Sequence, residues 1–118
     1  MDYKYNSLST RINLLNGVLI GLMGGLLNII AISLNGGFMP VNPVYDHVES
    51  SIVGSTIHKS FNDYDYINHL FLVDNYYFEL GNYFFVFSIG DFLIIIGVLI
   101  ALFNMFKLGF LIFKKHFS

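Results

Sequence analysis

Two long apolar segments lie near the ends of the chain and enclose a more polar middle. The first runs from about Leu14 to Leu34 and the second from about Ile89 to Phe113. Each is long enough to cross the hydrocarbon core of a bilayer, which takes about 20 apolar residues. The pattern predicts an all-α membrane protein, in which two transmembrane helices are joined by a long external loop with an interfacial aromatic segment.

The 118 residues are expected to form a single membrane domain. Helix 1 is predicted at about 14–35, the external loop at 36–87 and helix 2 at 88–113. Only 12% of the residues are charged, against about 25% in a soluble domain. The first apolar run is longer than the core of a signal peptide, about 7–15 residues, and no small-x-small cleavage site follows it. A retained anchor is therefore favoured over a cleaved signal.

Charge is distributed unevenly between the ends of the chain and the loop. The ends carry lysine and arginine, whereas the loop carries six acidic residues and one lysine: Asp46, Glu49, Asp63, Asp65, Asp74, Glu79 and Lys59. Positively charged flanks stay in the cytoplasm, so we expect a multi-pass protein of the cell membrane with both termini cytoplasmic. The net charge of −2 argues against binding to nucleic acid.

Small residues form a stripe on helix 1. Gly17, Gly21 and Gly25 follow one another at intervals of four, and Gly97 is a weaker counterpart on helix 2. Such spacing lets another helix approach closely in lipid. Because two helices bury little against each other, the expected partners are membrane lipid and either further copies of the chain or additional membrane helices.

The loop is predicted to begin at a helix stop and to end in an aromatic segment. Asn35-Gly36-Gly37 can end a helix, since glycine adopts the left-handed conformation easily. Residues 66–87 are rich in tyrosine and phenylalanine but too interrupted to span a membrane. We expect this segment to lie in the interface, with a re-entrant loop as the alternative.

Asp91 and Asp74 are the candidate catalytic residues. Asp91 follows Ser88 at the start of helix 2, where the two residues could simply form a capping box. Asp74 lies in an apolar run, which could raise its pKa. If the two carboxyl groups met, they could share a proton as an aspartic dyad does. Polar support is expected from Asn28, Asn35 and His69.

No cofactor and no metal site are predicted. His47, His58 and His69 are separated by eleven residues each time, which matches no metal-ligand spacing. Phosphate-binding and dinucleotide-binding motifs are absent from the sequence, as is cysteine.

Two motifs resemble those of an uncharacterised family of small bacterial integral membrane proteins, a domain of unknown function. The first is Asn35-Gly36-Gly37-Phe38-Met39-Pro40-Val41 and the second is Ser88-Ile89-Gly90-Asp91, preceded by His69 and Phe71-Leu72-Val73-Asp74. The resemblance covers about residues 18–105. It implies helices upstream of this chain, so that the chain is a C-terminal half or a shortened member that must oligomerise.

The segment from Gly81 to Asp91 also shows a faint similarity to the last motif of lipoprotein signal peptidase, which ends in a catalytic aspartate. Gly24 to Ile30 is similar to another motif of that family, but Ala31 and Ile32 stand where its aspartate and arginine belong. The resemblance implies an aspartic peptidase only if Asp74 replaces the missing acid.

Three functions follow from these observations. The first is a non-enzymatic membrane protein that acts through helix association and its external loop. The second is an intramembrane aspartic hydrolase that uses Asp91 with Asp74. The third, a transport subunit, is least favoured because almost no charge lies near the middle of either helix, where ion pathways usually carry it.

Overall fold

The computed structural model describes residues 2–43, 52 and 55–117, and two long helices account for most of them. Helix α1 spans Tyr3–Leu34 and helix α2 spans Ile89–Phe117. Helix α1 begins well before the predicted start near Leu14. No glycine or proline occurs between Tyr3 and Asn13 to stop the helix. The apolar run used for the prediction marks only the part of the helix that is apolar enough to lie in a membrane.

Both helices are long and apolar enough to cross a membrane. Their most apolar 18-residue stretches have mean hydropathies of 2.2 and 2.4, and only 17% of each stretch is buried within the structure. The core helix of a soluble protein would be mostly buried. Large side chains therefore remain uncovered along both helices, including Leu22, Phe103 and Phe106.

The residues group into two compact units. Met1–Met23 with Leu93–Ser118 form one, and Gly24–Phe92 form the other. The first contains the beginning of α1 and most of α2. The second contains the remaining turns of both helices and the whole middle region.

Within the first unit, the two helices meet at glycines. A Cβ atom added at Gly97 would lie 2.5 Å from the carbonyl oxygen of Gly17 and 2.5 Å from the amide nitrogen of Gly21. A Cβ atom at Gly17 would lie 2.8 Å from the amide nitrogen of Ala101. The predicted small-residue stripe is thus occupied, at these positions, by a helix of the same chain. Gly25, in the other unit, has nothing within 4 Å of its added Cβ.

Helix α1 ends as the sequence predicts. Gly36 and Gly37 have φ angles of +78° and +91°, and the amide of Gly37 donates to the carbonyl of Ile32 at 2.9 Å. This is the Schellman arrangement, in which a left-handed glycine turns the chain back and satisfies a carbonyl of the last helical turn.

The middle region contains β-structure, so the prediction of an all-α protein whose helices are joined by a long loop is wrong. Its described residues form four strands and two 3₁₀ turns: β1 (Met39–Val41), β2 (His58–Ser60), β3 (Tyr76–Leu80), β4 (Tyr83–Phe87), and turns at Phe61–Asp63 and Leu70–Leu72. Strands β1 and β2 pair in parallel, with Met39 opposite His58 and Val41 opposite Ser60. Three-residue strands leave no periodic pattern in a sequence.

The predicted interfacial aromatic segment is mostly a hairpin. Strands β3 and β4 pair antiparallel around Gly81 and Asn82, with Tyr76 opposite Phe87 and Leu80 opposite Tyr83. Gly81 has a φ of +59°, as the first central residue of a type II′ turn requires. Aromatic residues favour strands. The aromatic content of this segment and its Gly-Asn pair together indicate a hairpin, which the sequence analysis did not predict.

A small core joins the middle region to the end of α1. Ala31 of the helix is fully buried against Met39, Leu72 and Val73, and Leu27, Ile32, Phe61 and Ile67 pack around them. Apolar contacts of this kind hold the segment before Asp74 against the helix.

Replacing Gly97 with alanine should destabilise the protein. The added methyl group would overlap the backbone of Gly17 and Gly21, and such overpacking costs about 1–3 kcal/mol. We expect a lower midpoint of thermal unfolding in detergent.

Gly109→Ala is the matched control on the same helix, since its added Cβ meets nothing within 4 Å. Helix propensity favours alanine there by up to about 1 kcal/mol. Equal midpoints for the two variants would contradict the glycine contact.

Candidate functional site

A capping box begins helix α2. The amide of Asp91 donates to the Ser88 hydroxyl oxygen at 3.0 Å, and the amide of Ser88 donates to Oδ2 of Asp91 at 3.2 Å. Two backbone donors at the helix start are thereby satisfied reciprocally. The carboxylate of Asp91 also suits the positive end of the helix dipole. The capping box predicted for these two residues is present, and it fixes the side chain of Asp91.

Asn28 of helix α1 closes this arrangement into a ring. Its amide nitrogen donates to Oδ1 of Asp91 at 2.8 Å, while its carbonyl oxygen accepts from the Ser88 hydroxyl at 2.6 Å. Gly90 permits the approach, because an added Cβ would overlap the Asn28 side chain and lie 2.5 Å from the carbonyl of Gly24. Each oxygen of Asp91 therefore has an N–H donor.

Asp74 is held in place by strand β1. Its amide donates to the carbonyl of Pro40 at 3.0 Å, and its own carbonyl accepts from the amide of Asn42 at 2.8 Å. These bonds make a parallel bridge between Asp74 and Val41. Val73, which is fully buried, anchors the preceding position. Backbone pairing and packing together fix where the carboxyl group points.

The carboxyl group of Asp74 is buried and interacts with Asp91. The residue is only 5% exposed, and its Oδ1 has no hydrogen-bond donor in the described part of the chain. Burial first, and then the charge and hydrogen bonding of Asp91, raise the pKa of Asp74 from 3.8 to about 7. A carboxylate can only accept hydrogen bonds, so a bond between the two acids requires a proton on one of them.

His58 is the neighbour of Asp74 on the other side. Its Nε2 lies 3.6 Å from Oδ2 of Asp74, and its side chain is 46% exposed against 7% for the aspartate. Its Nδ1 lies 3.4 Å from the Ser55 hydroxyl oxygen. The sequence does not indicate this position for His58, because the parallel pairing of β1 and β2 that brings it to Asp74 has no local signal.

Asn35, expected as polar support, lies elsewhere. Its side-chain nitrogen Nδ2 donates to the backbone carbonyls of Ala31 and Asn68, at 2.8 and 3.1 Å. Its side-chain oxygen accepts from the backbone amide of Asn68 at 2.8 Å. Asn35 thus ties the middle region to the end of helix α1.

His69, the other expected support, is an exposed residue with a φ of +53°. Its ring contacts Phe71, with centroids 5.9 Å apart. Within the described residues, this ring contact does not bring His69 to either of the two acids. His47 lies outside the described residues. Across residues 2–43, 52 and 55–117, no group of three or more histidine or acidic side chains could hold a metal ion.

The chain belongs to a family of unknown function (DUF5317), whose model matches residues 8–103. No curated protein and no solved structure matches the chain. Membership of a family without an assigned function is thereby confirmed. The matched span includes Asn28, Asp74 and Asp91. The family's bacterial origin, its two motifs and the similarity to lipoprotein signal peptidase remain predictions.

The pKa of Asp74 makes stability depend on pH. Because the carboxyl group ionises near pH 3.8 when unfolded and near 7 when folded, the folded protein binds the extra proton between these values. The free energy of unfolding therefore includes a favourable contribution from this proton, which is complete below about pH 4 and is lost as the pH rises towards 7. The contribution amounts to at most about 4 kcal/mol. The midpoint of thermal unfolding should fall over this range.

Asp74→Asn should remove this part of the pH dependence, because an amide does not titrate. Asp65→Asn is the control, since Asp65 is exposed, and its profile should follow that of the unmodified protein. A profile for Asp74→Asn with the original slope would show that another group is responsible.

Proposed function

We propose that this member of the DUF5317 family is a membrane-inserted hydrolase of the aspartic type, with Asp74 and Asp91 as its acid pair. The single observation that carries the proposal is the arrangement of Asp74. A buried carboxyl group beside a second carboxyl group is unfavourable for folding, and such groups are concentrated at functional sites. Two carboxyl groups that share one proton are the catalytic groups of aspartic hydrolases.

The surroundings of each acid indicate its role. Asp91 has N–H donors on both oxygens, from Asn28 and from the Ser88 backbone, and these donors stabilise negative charge. Asp74 has a pKa of about 7, so about half of the molecules carry a proton on it at neutral pH. Asp91 is therefore the base and Asp74 the acid.

Hydrolysis then proceeds as follows. Asp91 accepts a proton from water as the water oxygen attacks the carbonyl carbon of the substrate, and Asp74 donates its proton to the carbonyl oxygen. The tetrahedral intermediate collapses to a carboxylic acid when the bond to the leaving amine breaks and the amine takes a proton from Asp91. The remaining proton returns to Asp74, so that both acids regain their starting states.

Three further residues support the pair. Asn28 and Ser88 position Asp91 through their ring of hydrogen bonds. His58 is half exposed and lies 3.6 Å from Asp74, so it offers a route for protons between Asp74 and water. The peptidase similarity lacks an acid at Ala31, and Asp74 supplies one from the middle region. Val73, its neighbour, packs in the same cluster as Ala31.

A two-crossing topology belongs to this proposal. The basic residues at both ends and the acidic middle support cytoplasmic termini and an external middle region in a cell membrane. The substrate would then be a peptide bond presented at the outer surface. Partners remain as expected from sequence: membrane lipid, with further copies of the chain or additional helices.

A non-enzymatic role is the second candidate. The observation in its favour is the hairpin, whose strand β3 is exposed at every position, with large aromatic rings at Tyr77 and Phe78. Such a surface suits contact with lipid or with another protein. In this case Asp74 and Asp91 would serve only to hold the middle region against the helices.

Asp74→Asn and Asp91→Asn, made separately in the native host, separate the two candidates. If the acids are catalytic, each change should lower the yield of product peptides by about a hundredfold or more. New peptide termini in the membrane fraction should be compared by mass spectrometry between wild type, each variant and a deletion strain. Termini that depend on the protein should disappear in both variants.

Asp65→Asn, at an exposed carboxyl group, is the matched control and should retain these termini. Insertion is checked with single cysteines, which the natural chain lacks. Asp65→Cys should label only from outside intact cells and Phe117→Cys only after permeabilisation. Correct insertion with unchanged termini in both acid variants would leave the non-enzymatic role.

A further inference from the structure

We propose that a basic cleft between the beginning of helix α1 and the end of helix α2 binds the phosphate headgroup of an anionic membrane lipid. The cleft has a volume of about 330 Å³ and is lined by Tyr3, Lys4, Ser7, Leu8, Arg11 and Lys115. All six residues belong to one compact unit.

The charge of the cleft identifies the ligand as an anion. Three of the six lining side chains are cationic and none is acidic. Like charges that share a small volume repel one another, and an anion removes this repulsion. The ammonium group of Lys115 lies 4.8 Å from the centre of the Tyr3 ring, which directs it towards the cleft wall. Arginine and lysine together are the usual ligands of phosphate.

The position of the cleft identifies the anion as part of a lipid. Leu8 lines the cleft and is 60% exposed, and Ile12 and Leu15, one and two turns further along α1, are 50% and 56% exposed. Residues at these intervals share one helix face. A phosphate held by Arg11 therefore leaves an acyl chain free to lie along this apolar face. Basic clefts between membrane helices bind headgroups in this way.

The inference rests on the membrane insertion proposed above and is independent of the acid pair. Charges near the cleft also include Asp2, whose carboxylate accepts from the backbone amide of Lys4 at 3.3 Å. It does not line the cleft. The basic ends predicted to be cytoplasmic would meet the anionic lipids of that leaflet.

Native mass spectrometry of the detergent-solubilised full chain tests the proposal. Dioleoyl phosphatidylglycerol and dioleoyl phosphatidylcholine carry the same acyl chains and differ in net charge. We expect phosphatidylglycerol to bind more tightly to the wild type. Lys115→Gln should weaken its binding about fivefold, and Lys4→Gln, Arg11→Gln and Lys115→Gln combined about a hundredfold, since each cation near a headgroup contributes roughly equally.

Lys107→Gln is the matched control. It removes one charge from an exposed position of the same helix, outside the cleft, and should change binding less than twofold. Inorganic phosphate should not displace the lipid at equal concentration, because it lacks the acyl chains. Equal binding of the two lipids, an equal loss in Lys107→Gln, or displacement by phosphate would each overturn the proposal.

Two further measurements distinguish a loss of lipid binding from misfolding of a variant and from a failure of membrane insertion. Circular dichroism should show the same helix content in every variant, because Lys4, Arg11 and Lys115 form no salt bridge with another residue in the part of the chain that the structure describes. Resistance to alkaline extraction from membranes reports insertion. If the wild type extracts like a peripheral protein, the membrane proposal fails; if it inserts but does not prefer the anionic lipid, only the lipid site fails.

Discussion

Two carboxyl groups that meet in a poorly solvated place cannot both be ionised without a large energetic cost. Asp74 is buried, and this burial and then the charge of Asp91 raise its pKa; the surrounding structure fixes both residues. The capping box and Asn28 hold Asp91 at the start of α2, while the bridge to β1 holds Asp74. Packing of Val73 against Ala31 ties the bridge to helix α1. A proton on Asp74 makes this arrangement compatible with a folded protein.

Glycine determines how closely these helices approach. Gly90 allows Asn28 to reach the capping box, and the contact of Gly97 with Gly17 has the same character in the other unit. Small residues serve this purpose in membranes, where lipid is as apolar as the side chains and close backbone packing replaces the hydrophobic effect. Gly17, Gly21 and Gly97 therefore serve a contact inside the chain, whereas an added Cβ at Gly25 meets nothing within 4 Å.

Much of this arrangement is local enough to be predicted from sequence. Apolar length indicates the helices, Asn35-Gly36-Gly37 indicates the end of α1, and Ser88 with Asp91 indicates a capping box, because each depends on neighbouring residues. The hairpin at Gly81-Asn82 also has a local signal, which was outweighed by the expectation of an interfacial segment. The pairing of β1 with β2, and hence the position of His58 beside Asp74, depends on contacts distant in sequence and cannot be recovered from periodicity.

The most direct test is a pH titration of the Asp74 side-chain carboxyl carbon by ¹³C nuclear magnetic resonance, with the signal assigned from the Asp74→Asn spectrum. The account predicts a midpoint near 7. In Asp91→Asn the midpoint should fall, because the neighbouring charge is gone, yet stay above the ordinary value because burial remains. A midpoint near the ordinary value in the unmodified protein would contradict the shared proton on which the proposed chemistry depends.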